Sequence, residues 1–314
     1  MIEFIKMMSI NDYNCKSLIK AIADETYEFD KIKIFYIDDN SYLFDEDNDE
    51  FIYDGFGKHY KELFEVLKTN DYITELNLKC IYLDTDEQVS SLNELLKINN
   101  TITKLDLQHT CLTNNQLKIL SESLKINTTL TSLKLSSDNI SNKGFEILID
   151  TLKRNNSITR LNLNSSNFGY YHIKSLSNLL LFNTTLTSLN LRQTDFVFEG
   201  VGWTEKYKSY KLLSKMLKHN TTLTNLNLSY NQLNNEFFKK IINAFKFNKT
   251  ITTLNLYSTN LNNENVIKLC EAINNNSSLT ILNLGKNNLD NIFDMRHILY
   301  DKLQSNTTLT ELYL

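Results

Sequence analysis

The chain has 314 residues, a formal net charge of −4 and an isoelectric point near 5.8. This mildly acidic balance argues against general electrostatic attraction to nucleic acid or to an anionic membrane surface. The sequence holds no apolar run of about 18 residues, so we expect no transmembrane helix and no membrane partner.

The cellular compartment follows from two further features. Met1–Met8 carries the charges of Glu3 and Lys6 inside its apolar stretch and is followed by no small-residue cleavage site, so we expect no signal peptide. Four cysteines are widely separated, which is typical of reduced thiols that fill small apolar sites rather than of a metal or redox centre; they are Cys15, Cys80, Cys111 and Cys270. We therefore predict a cytoplasmic, intracellular protein without a bound metal.

Codon bias limits what single polar residues can tell. The chain contains no proline and is rich in Asn, Ile and Lys, which indicates an AT-rich genome. A lone Asn or Lys on the surface is therefore weak evidence for function.

Residues 1–70 differ in pattern from the rest of the chain. Leu18 and Ile22 fit a short amphipathic helix, Lys31–Ile37 fits a strand, and a helix is predicted from about Lys58 to Lys68. We interpret residues 1–70 as a degenerate N-terminal capping unit, because the terminal units of a repeat protein cover the exposed end of its core.

An acidic stretch over residues 45–50 interrupts this cap. Asp45, Asp47 and Asp49 have the spacing of the first three ligands of an EF-hand calcium loop. However, Glu50 stands where glycine should make the turn, and Phe56 stands where a bidentate glutamate belongs. We predict a solvated acidic loop, with a patch for a basic partner as the alternative, and no metal site.

From residue 71 onward a Leu-x-Leu pair recurs, and the commonest step between successive pairs is 161 − 133 = 28. The pairs are Leu76/Leu78, Leu105/Leu107, Leu133/Leu135, Leu161/Leu163, Leu189/Leu191, Leu226/Leu228, Leu254/Leu256, Leu282/Leu284 and Leu312/Leu314. Period-2 leucines predict a short strand with one buried face. Apolar residues nine and thirteen positions earlier share one stripe of a helix, so each unit reads as strand, loop, helix and loop.

An asparagine stands six residues before every pair: Asn70, Asn99, Asn127, Asn155, Asn183, Asn220, Asn248, Asn276 and Asn306. Asparagine tolerates the left-handed conformation that ends many helices. We therefore expect each of these residues to be a left-handed helix terminus.

Over roughly residues 60–314 these units resemble leucine-rich repeats of the ribonuclease-inhibitor type. The resemblance implies an α/β solenoid: a right-handed horseshoe with parallel strands on the concave face and helices on the convex face. We expect residues 71–314 to form this repeat domain, with about eight full units and a terminal strand. The family's asparagine ladder is replaced mostly by hydroxyl residues, which predicts weaker hydrogen bonding inside it; the positions are Thr110, Asp138, Ser166, Thr194, Asn231, Thr259 and Asn287.

The resemblance also implies that partners bind the concave face. The residues that flank the leucines there form a mildly positive stripe, followed by tyrosines in the later units. The candidate partner-binding residues are Lys104, Lys134, Arg160, Arg192, Trp203 and Tyr257. The alternative is that the repeated Asn of Leu-Asn-Leu is only the repeat consensus on a solvated face. We see no aromatic residues interleaved with the basic ones, which argues against single-stranded nucleic acid as a ligand.

Two irregular places stand out. One step is 37 residues long, so nine extra residues (37 − 28 = 9) fall within Asp195–Glu205, which includes the only tryptophan, Trp203. Trp203 either anchors a partner or covers the core beside the insertion. At the other place, Glu311–Leu314, a strand without a following helix would leave an open edge. This edge either meets a partner or a second copy of the chain, or marks a shortened version of a longer repeat protein.

No catalytic motif is found, and the five histidines lie in different units, so we expect no enzyme, no catalytic residue and no cofactor. The predicted function is an intracellular protein–protein interaction module. Two alternatives remain open: a regulator of a small GTPase, because the Ran class of GTPase-activating proteins uses this repeat type, and a substrate adaptor of a ubiquitin ligase. The sequence does not identify the partner.

Overall fold

A computed structural model describes residues 8–10, 34–37, 42–45, 50–53, 60–136, 140–194, 203–289 and 292–314. The chain divides into two compact units, Met1–Ile158 and Thr159–Leu314. Among the helices described, none is both long and apolar enough to cross a membrane.

In the first unit a parallel sheet has the order β1 (Met8–Ile10), β2 (Ile34–Ile37), β5 (Glu75–Asn77), β6 (Lys104–Asp106) and β7 (Ser132–Lys134). An antiparallel hairpin joins β3 (Tyr42–Asp45) to β4 (Glu50–Tyr53). The helices are α1 (Tyr60–Lys68), α2 (Asp86–Ile98), α3 (Asn114–Ile126) and α4 (Asn142–Leu152). The helix predicted around Leu18 and the residues 46–49 of the acidic stretch lie outside the described residues.

In the second unit six parallel strands follow one another in chain order: β8 (Arg160–Asn162), β9 (Ser188–Asn190), β10 (Asn225–Asn227), β11 (Thr253–Asn255), β12 (Ile281–Asn283) and β13 (Glu311–Tyr313). They alternate with α5 (Tyr170–Phe182), α6 (Trp203–His219), α7 (Asn235–Phe245), α8 (Asn263–Ile273) and α9 (Ile292–Lys302). The chain is thus an α/β leucine-rich repeat solenoid.

The paired leucines make the core. Leu76 lies opposite Leu105 in the first unit, and Leu226 lies opposite Leu189 and Leu254 in the second, so equivalent residues stack without a shift in register. All of these leucines are buried, as are the apolar helical residues nine and thirteen positions before each of them. The apolar columns of the sequence are therefore confirmed as the buried layer between strands and helices.

Helices begin where short polar side chains replace the missing backbone bonds. Thr85 precedes α2 and accepts a hydrogen bond from the Gln88 N–H at 3.2 Å, while the Gln88 side chain accepts one from the Thr85 N–H at 3.1 Å. Thr113 and Gln116 repeat this capping box before α3. These reciprocal bonds satisfy donors that a helix N-terminus otherwise exposes.

The recurring asparagine directly follows α2, α3 and α5, but not in the predicted conformation. Asn99, Asn127 and Asn183 have φ of −65°, −67° and −75° with ψ of 125–132°, so their backbone is extended and the expected left-handed conformation is wrong. Their amide oxygens accept hydrogen bonds from the N–H groups two and three residues later, at 2.7–3.1 Å. The side chain thus organises the loop that leads into the next strand.

The amide nitrogen of this asparagine reaches the preceding repeat. Asn99 donates to the Leu67 carbonyl at 2.8 Å, Asn248 to the Leu217 carbonyl at 2.7 Å, and Asn276 to the Phe245 carbonyl at 3.0 Å. Each acceptor belongs to the end of the preceding helix, whose last carbonyls have no partner within the helix. One buried side chain therefore serves two successive repeats.

Hydroxyl residues at the asparagine-ladder position make fewer hydrogen bonds between repeats than asparagine does, as predicted. Thr110, Thr194 and Thr259 donate their hydroxyls to the carbonyl of the second leucine of their own repeat. Asn231 donates both to the Leu228 carbonyl of its own repeat and to the Leu191 carbonyl of the preceding one, at 2.8 and 2.7 Å. Threonine has a single donor, so asparagine makes the additional bond between repeats.

A left-handed residue that the sequence did not predict follows seven of the described strands. The second residue after the leucine pair has a positive φ of 51–65° in seven repeats: Cys80, His109, Ser165, Gln193, Tyr230, Ser258 and Lys286. This conformation costs non-glycine residues roughly 1–2 kcal/mol. The backbone N–H of the left-handed residue donates to a carbonyl of the next repeat: Tyr230 bonds to Tyr257 at 2.9 Å, and Ser258 bonds to Gly285 at 2.8 Å. The strand ladder thus extends into the turn.

The cysteine prediction is only partly right. Cys270 is fully buried in α8, and this burial, followed by the charge of Glu271, raises the pKa of its thiol to about 12. Cys80 and Cys111 are exposed thiols instead, each in the left-handed conformation. The prediction that they fill apolar sites is therefore wrong, since these turn positions face solvent.

We predict that Asn276→Ala lowers the free energy of unfolding by about 3 kcal/mol, since the amide oxygen and nitrogen both serve buried backbone groups. Asn275→Ala is the control, because Asn275 is the exposed neighbour in sequence and its loss should change stability by less than about 0.5 kcal/mol. Urea denaturation measures both. Equal losses in the two variants would show that the buried amide does not stabilise the stacking of repeats.

Candidate partner-binding face

The strand face of each unit consists of the side chains that alternate with the paired leucines and the two residues after each pair. In the second unit its centre is a row of asparagines in register, Asn190, Asn227, Asn255 and Asn283. Each amide oxygen accepts the backbone N–H two residues later at 3.0 Å. The Asn of Leu-Asn-Leu therefore has a structural role, in line with the alternative that the sequence left open.

On the strand face of the first unit, lysines lie beside carboxylates. Lys104 pairs with Glu75, and the Lys134 ammonium lies 2.9 Å from the Asp106 carboxylate. Asp106 is largely buried and also accepts the Gln108 N–H at 3.1 Å. These pairs reduce the net positive charge that the predicted stripe presents in this unit.

The strand face of the second unit carries four side chains in mutual contact, which we name the aromatic–cation cluster: Arg192, Tyr230, Tyr257 and Lys286. The guanidinium of Arg192 lies 4.2 Å from the centroid of the Tyr230 ring. The rings of Tyr230 and Tyr257 are 5.2 Å apart, and the Lys286 ammonium lies 5.7 Å from the Tyr257 centroid. The cluster spans four successive repeats, with a cation at each end.

Backbone geometry places these four side chains together. Arg192 and Tyr257 directly follow their leucine pairs, whereas Tyr230 and Lys286 occupy the left-handed position one residue later. Gly285 makes room for the Tyr257 ring, because a Cβ at this position would lie 2.9 Å from a ring carbon. Any larger residue at position 285 would displace the ring.

Hydrogen bonding within the cluster alters two ionisation equilibria. The hydroxyl of Tyr257, and after it the guanidinium of Arg192, lowers the pKa of Tyr230 below its ordinary value. Hydrogen bonding to Tyr257, together with its charge, raises the pKa of Lys286. The cations of the cluster therefore favour negative charge nearby.

The other predicted site residues are separate from this cluster. Arg160 is exposed at the start of β8, and Lys104 and Lys134 belong to the first unit. Trp203 is the first residue of α6, and its side chain and residues 195–202 lie outside the described residues. Both readings of Trp203 therefore remain predictions.

Two members of the cluster, Tyr230 and Lys286, were not among the partner-binding residues predicted from the sequence. The expectation that no aromatic residue is interleaved with basic ones is wrong for the second unit, where two tyrosine rings lie between Arg192 and Lys286. The repeat itself held a signal, since both residues stand two positions after a leucine pair.

At the edge strand β13, a cavity of about 630 Å³ is lined by Leu303, Leu309, Leu312 and Leu314 among others. These leucines are only half-buried, whereas the equivalent residues of the preceding repeat, such as Leu279 and Leu282, are fully buried. Self-association through this edge remains a prediction. In the part of the chain that the structure describes, no group of three His, Cys, Asp or Glu side chains is arranged to hold a metal ion.

No protein-family model matches the chain, and a search of curated proteins also returns no match. Similar solved structures include actin-binding site 2 of leiomodin-1, with 27% identity, coverage of 49% of this chain and 87% of that chain, and a TM-score of 0.39. The C-terminal domain of tropomodulin from Caenorhabditis elegans has 12% identity, coverage of 50% and 90%, and a TM-score of 0.40. TLR13, solved in complex with ssRNA13, has 20% identity, coverage of 81% and 30%, and a TM-score of 0.45. These low TM-scores leave the fold assignment to rest on the repeats of the chain itself.

We predict that Tyr257→Phe raises the pKa of Tyr230 towards its ordinary value, because the substitution keeps the ring but removes the hydroxyl that most favours the phenolate. Arg192→Met should shift this pKa in the same direction by a smaller amount. Tyr313→Phe is the control, since the Tyr313 hydroxyl bonds to Glu311 within β13 and not to Tyr230. NMR titration of carbon-labelled tyrosine, assigned through Tyr230→Phe, gives the midpoint; an unchanged midpoint in Tyr257→Phe would contradict the assignment of the bond.

Proposed function

We propose that the chain is a protein–protein interaction module of the ribonuclease-inhibitor-like leucine-rich repeat type, which binds a partner protein through the strand face of the second unit. The recurring step between leucine pairs, together with helices of 11 or 13 residues in most repeats, supports the subtype. The proposal assigns no catalysis to the chain.

The aromatic–cation cluster is the observation that carries this proposal. Tyrosine and arginine are frequent energetic anchors of protein interfaces, since each combines a large apolar surface with a polar end. Tyr230 is 39% exposed, so a partner can reach its ring and hydroxyl. Tyr257 and Arg192 stand beside it, so a partner would contact all three together.

The strand face also needs little ordering on binding. The backbone N–H groups of Arg192 and Tyr257 are bonded to the side chains of Asn190 and Asn255, and the left-handed residue Tyr230 donates to the next repeat. Side chains on such a rigid base lose less conformational entropy when a partner binds. This preorganisation favours a binding surface over a merely solvated face.

We further propose that Arg160 and Trp203 contribute to the interface, whereas Lys104 and Lys134 contribute less because each has a carboxylate partner. No described feature favours the GTPase-regulator or the ligase-adaptor alternative over a general interaction module.

The test is affinity capture from a native lysate with three immobilised full-length baits. We expect a protein that wild type retains to be lost from Tyr230→Ala/Tyr257→Ala, since this variant removes both rings of the cluster. The matched control is Tyr171→Ala/Phe182→Ala, which removes two exposed aromatic residues of α5 and should retain the partner.

All three baits must first show the same unfolding midpoint. If all three baits capture the same proteins, or if the partner is lost only from the α5 variant, the interface does not lie on the strand face.

A further inference from the structure

The geometry points to a carboxylate-binding site at the aromatic–cation cluster, where Asp or Glu side chains of an acidic segment in a partner protein bond to Arg192, Lys286 and the Tyr230 hydroxyl. This inference rests on the proposed function and specifies the chemistry of the partner.

The cations of the aromatic–cation cluster have different neighbours from the lysines on β6 and β7 of the first unit. In the first unit Lys104 and Lys134 each have a carboxylate from the adjacent strand. On the helices of the second unit, Lys239, Lys268 and Lys302 also pair with glutamates. No such pair involves Arg192 or Lys286 among the residues that the structure describes. The cluster is therefore a place where the chain holds a cation on each side of two tyrosine rings and supplies no described anion.

Hydrogen-bond donors dominate the surroundings of these cations. The oxygens of Asn190, Asn227, Asn255 and Asn283 each accept a backbone N–H of their own repeat, while the amide N–H groups of these side chains are donors. The Tyr230 hydroxyl can also donate, whereas the Tyr257 hydroxyl already bonds to Tyr230. An ionised carboxylate only accepts hydrogen bonds, through two oxygens, and bonds to a charged donor are stronger than neutral ones. An acidic segment therefore complements both the charge and the donor pattern.

A nucleic acid fits the same cluster less well. Proteins that bind single strands offer aromatic faces on which bases stack. Here the Tyr230 ring already contacts the guanidinium of Arg192 and the ring of Tyr257, while Tyr257 also meets Lys286 and the backbone at Gly285. A base would have to displace these contacts, whereas a carboxylate can bind at the polar edges and leave the rings in place.

The experiment is a selection of random peptides, displayed on phage, against the immobilised full-length chain. We expect the enriched peptides to share Asp or Glu residues. A synthetic peptide from this set should lose affinity about tenfold or more in three cases: when its acid is replaced by the amide, when the protein carries Arg192→Gln/Lys286→Gln, and when the salt concentration is raised. In a double-mutant cycle, the acid-to-amide change in the peptide and Arg192→Gln/Lys286→Gln in the protein should be non-additive, because both remove the same interaction.

Two matched controls sharpen this measurement. Lys239→Gln/Lys268→Gln removes the same amount of charge from the helices and should leave the affinity within about twofold, since these lysines already have glutamate partners. Gly285→Ala keeps every charge but places a methyl group against the Tyr257 ring, so it should weaken the peptide while the unfolding midpoint stays close to that of wild type.

The chain has carboxylates of its own, Asp195 and Glu199, outside the described residues and close to Arg192 in sequence. The variant Asp195→Asn/Glu199→Gln is therefore included. Unchanged peptide affinity supports the proposal, whereas affinity that rises about tenfold would show that the chain itself occupies the site and would overturn it.

The remaining outcomes separate this inference from the proposed function. Enriched peptides without acidic residues, no enrichment, or affinity that is insensitive to Arg192→Gln/Lys286→Gln would overturn the carboxylate site. An oligouridylate or a phosphopeptide that binds more tightly and displaces the acidic peptide would also overturn it. If the lysate partner is lost from Tyr230→Ala/Tyr257→Ala but retained by Arg192→Gln/Lys286→Gln, the interaction module stands and only the carboxylate fails.

Discussion

One buried asparagine amide ties each repeat to its predecessor, and the regular stacking within both units depends on it. Its oxygen holds the loop that leads into a strand, and its nitrogen satisfies a carbonyl at the end of the preceding helix. A buried polar group without a hydrogen-bond partner costs free energy. The amide must therefore occupy the same position relative to the preceding helix in every repeat. The long repeat obeys this constraint: Asn220 still reaches the Leu180 carbonyl at 2.7 Å, so the nine extra residues (37 − 28 = 9) are accommodated between β9 and Asn220, partly in the 17-residue helix α6, without a shift of the strand register.

The same register generates the strand face. In-register parallel strands lie about 4.8 Å apart, so side chains at related positions of successive repeats must touch or repel one another. In the first unit this proximity places Glu75 beside Lys104 and Asp106 beside Lys134, and opposite charges meet. In the second unit it places Tyr230 beside Tyr257 and leaves Arg192 and Lys286 at the two ends. One geometric rule thus produces lysine–carboxylate pairs in the first unit and a cationic, aromatic cluster in the second.

Sequence patterns predicted the features that follow from periodic burial of side chains. They failed for the features that depend on contacts between repeats. The leucine columns identified strands, helices and core because periods of 2 and 3.6 residues record which side is buried. The conformation of Asn99 was mispredicted because tolerance of left-handed backbone does not require it, and the competing role of the amide lies in another repeat. Tyr230 and Lys286 were missed because their left-handed turn carries no glycine signal. The pairing of Glu75 with Lys104 was predictable, since both residues immediately precede the first leucine of adjacent repeats.

Net charge is a poor guide to what such a chain attracts. The chain as a whole is acidic, yet among the described residues of the second unit the strand face carries Arg160, Arg192 and Lys286 against Glu311, which is bonded to Tyr313. Most of the acids described in this unit belong to helices, where several pair with lysines. A helix is about 10 Å across, which is comparable to the Debye length of about 8 Å at physiological salt. The field at the strand face is therefore set mainly by the side chains on that face, and an acidic partner can bind there although the whole chain carries the same sign of charge.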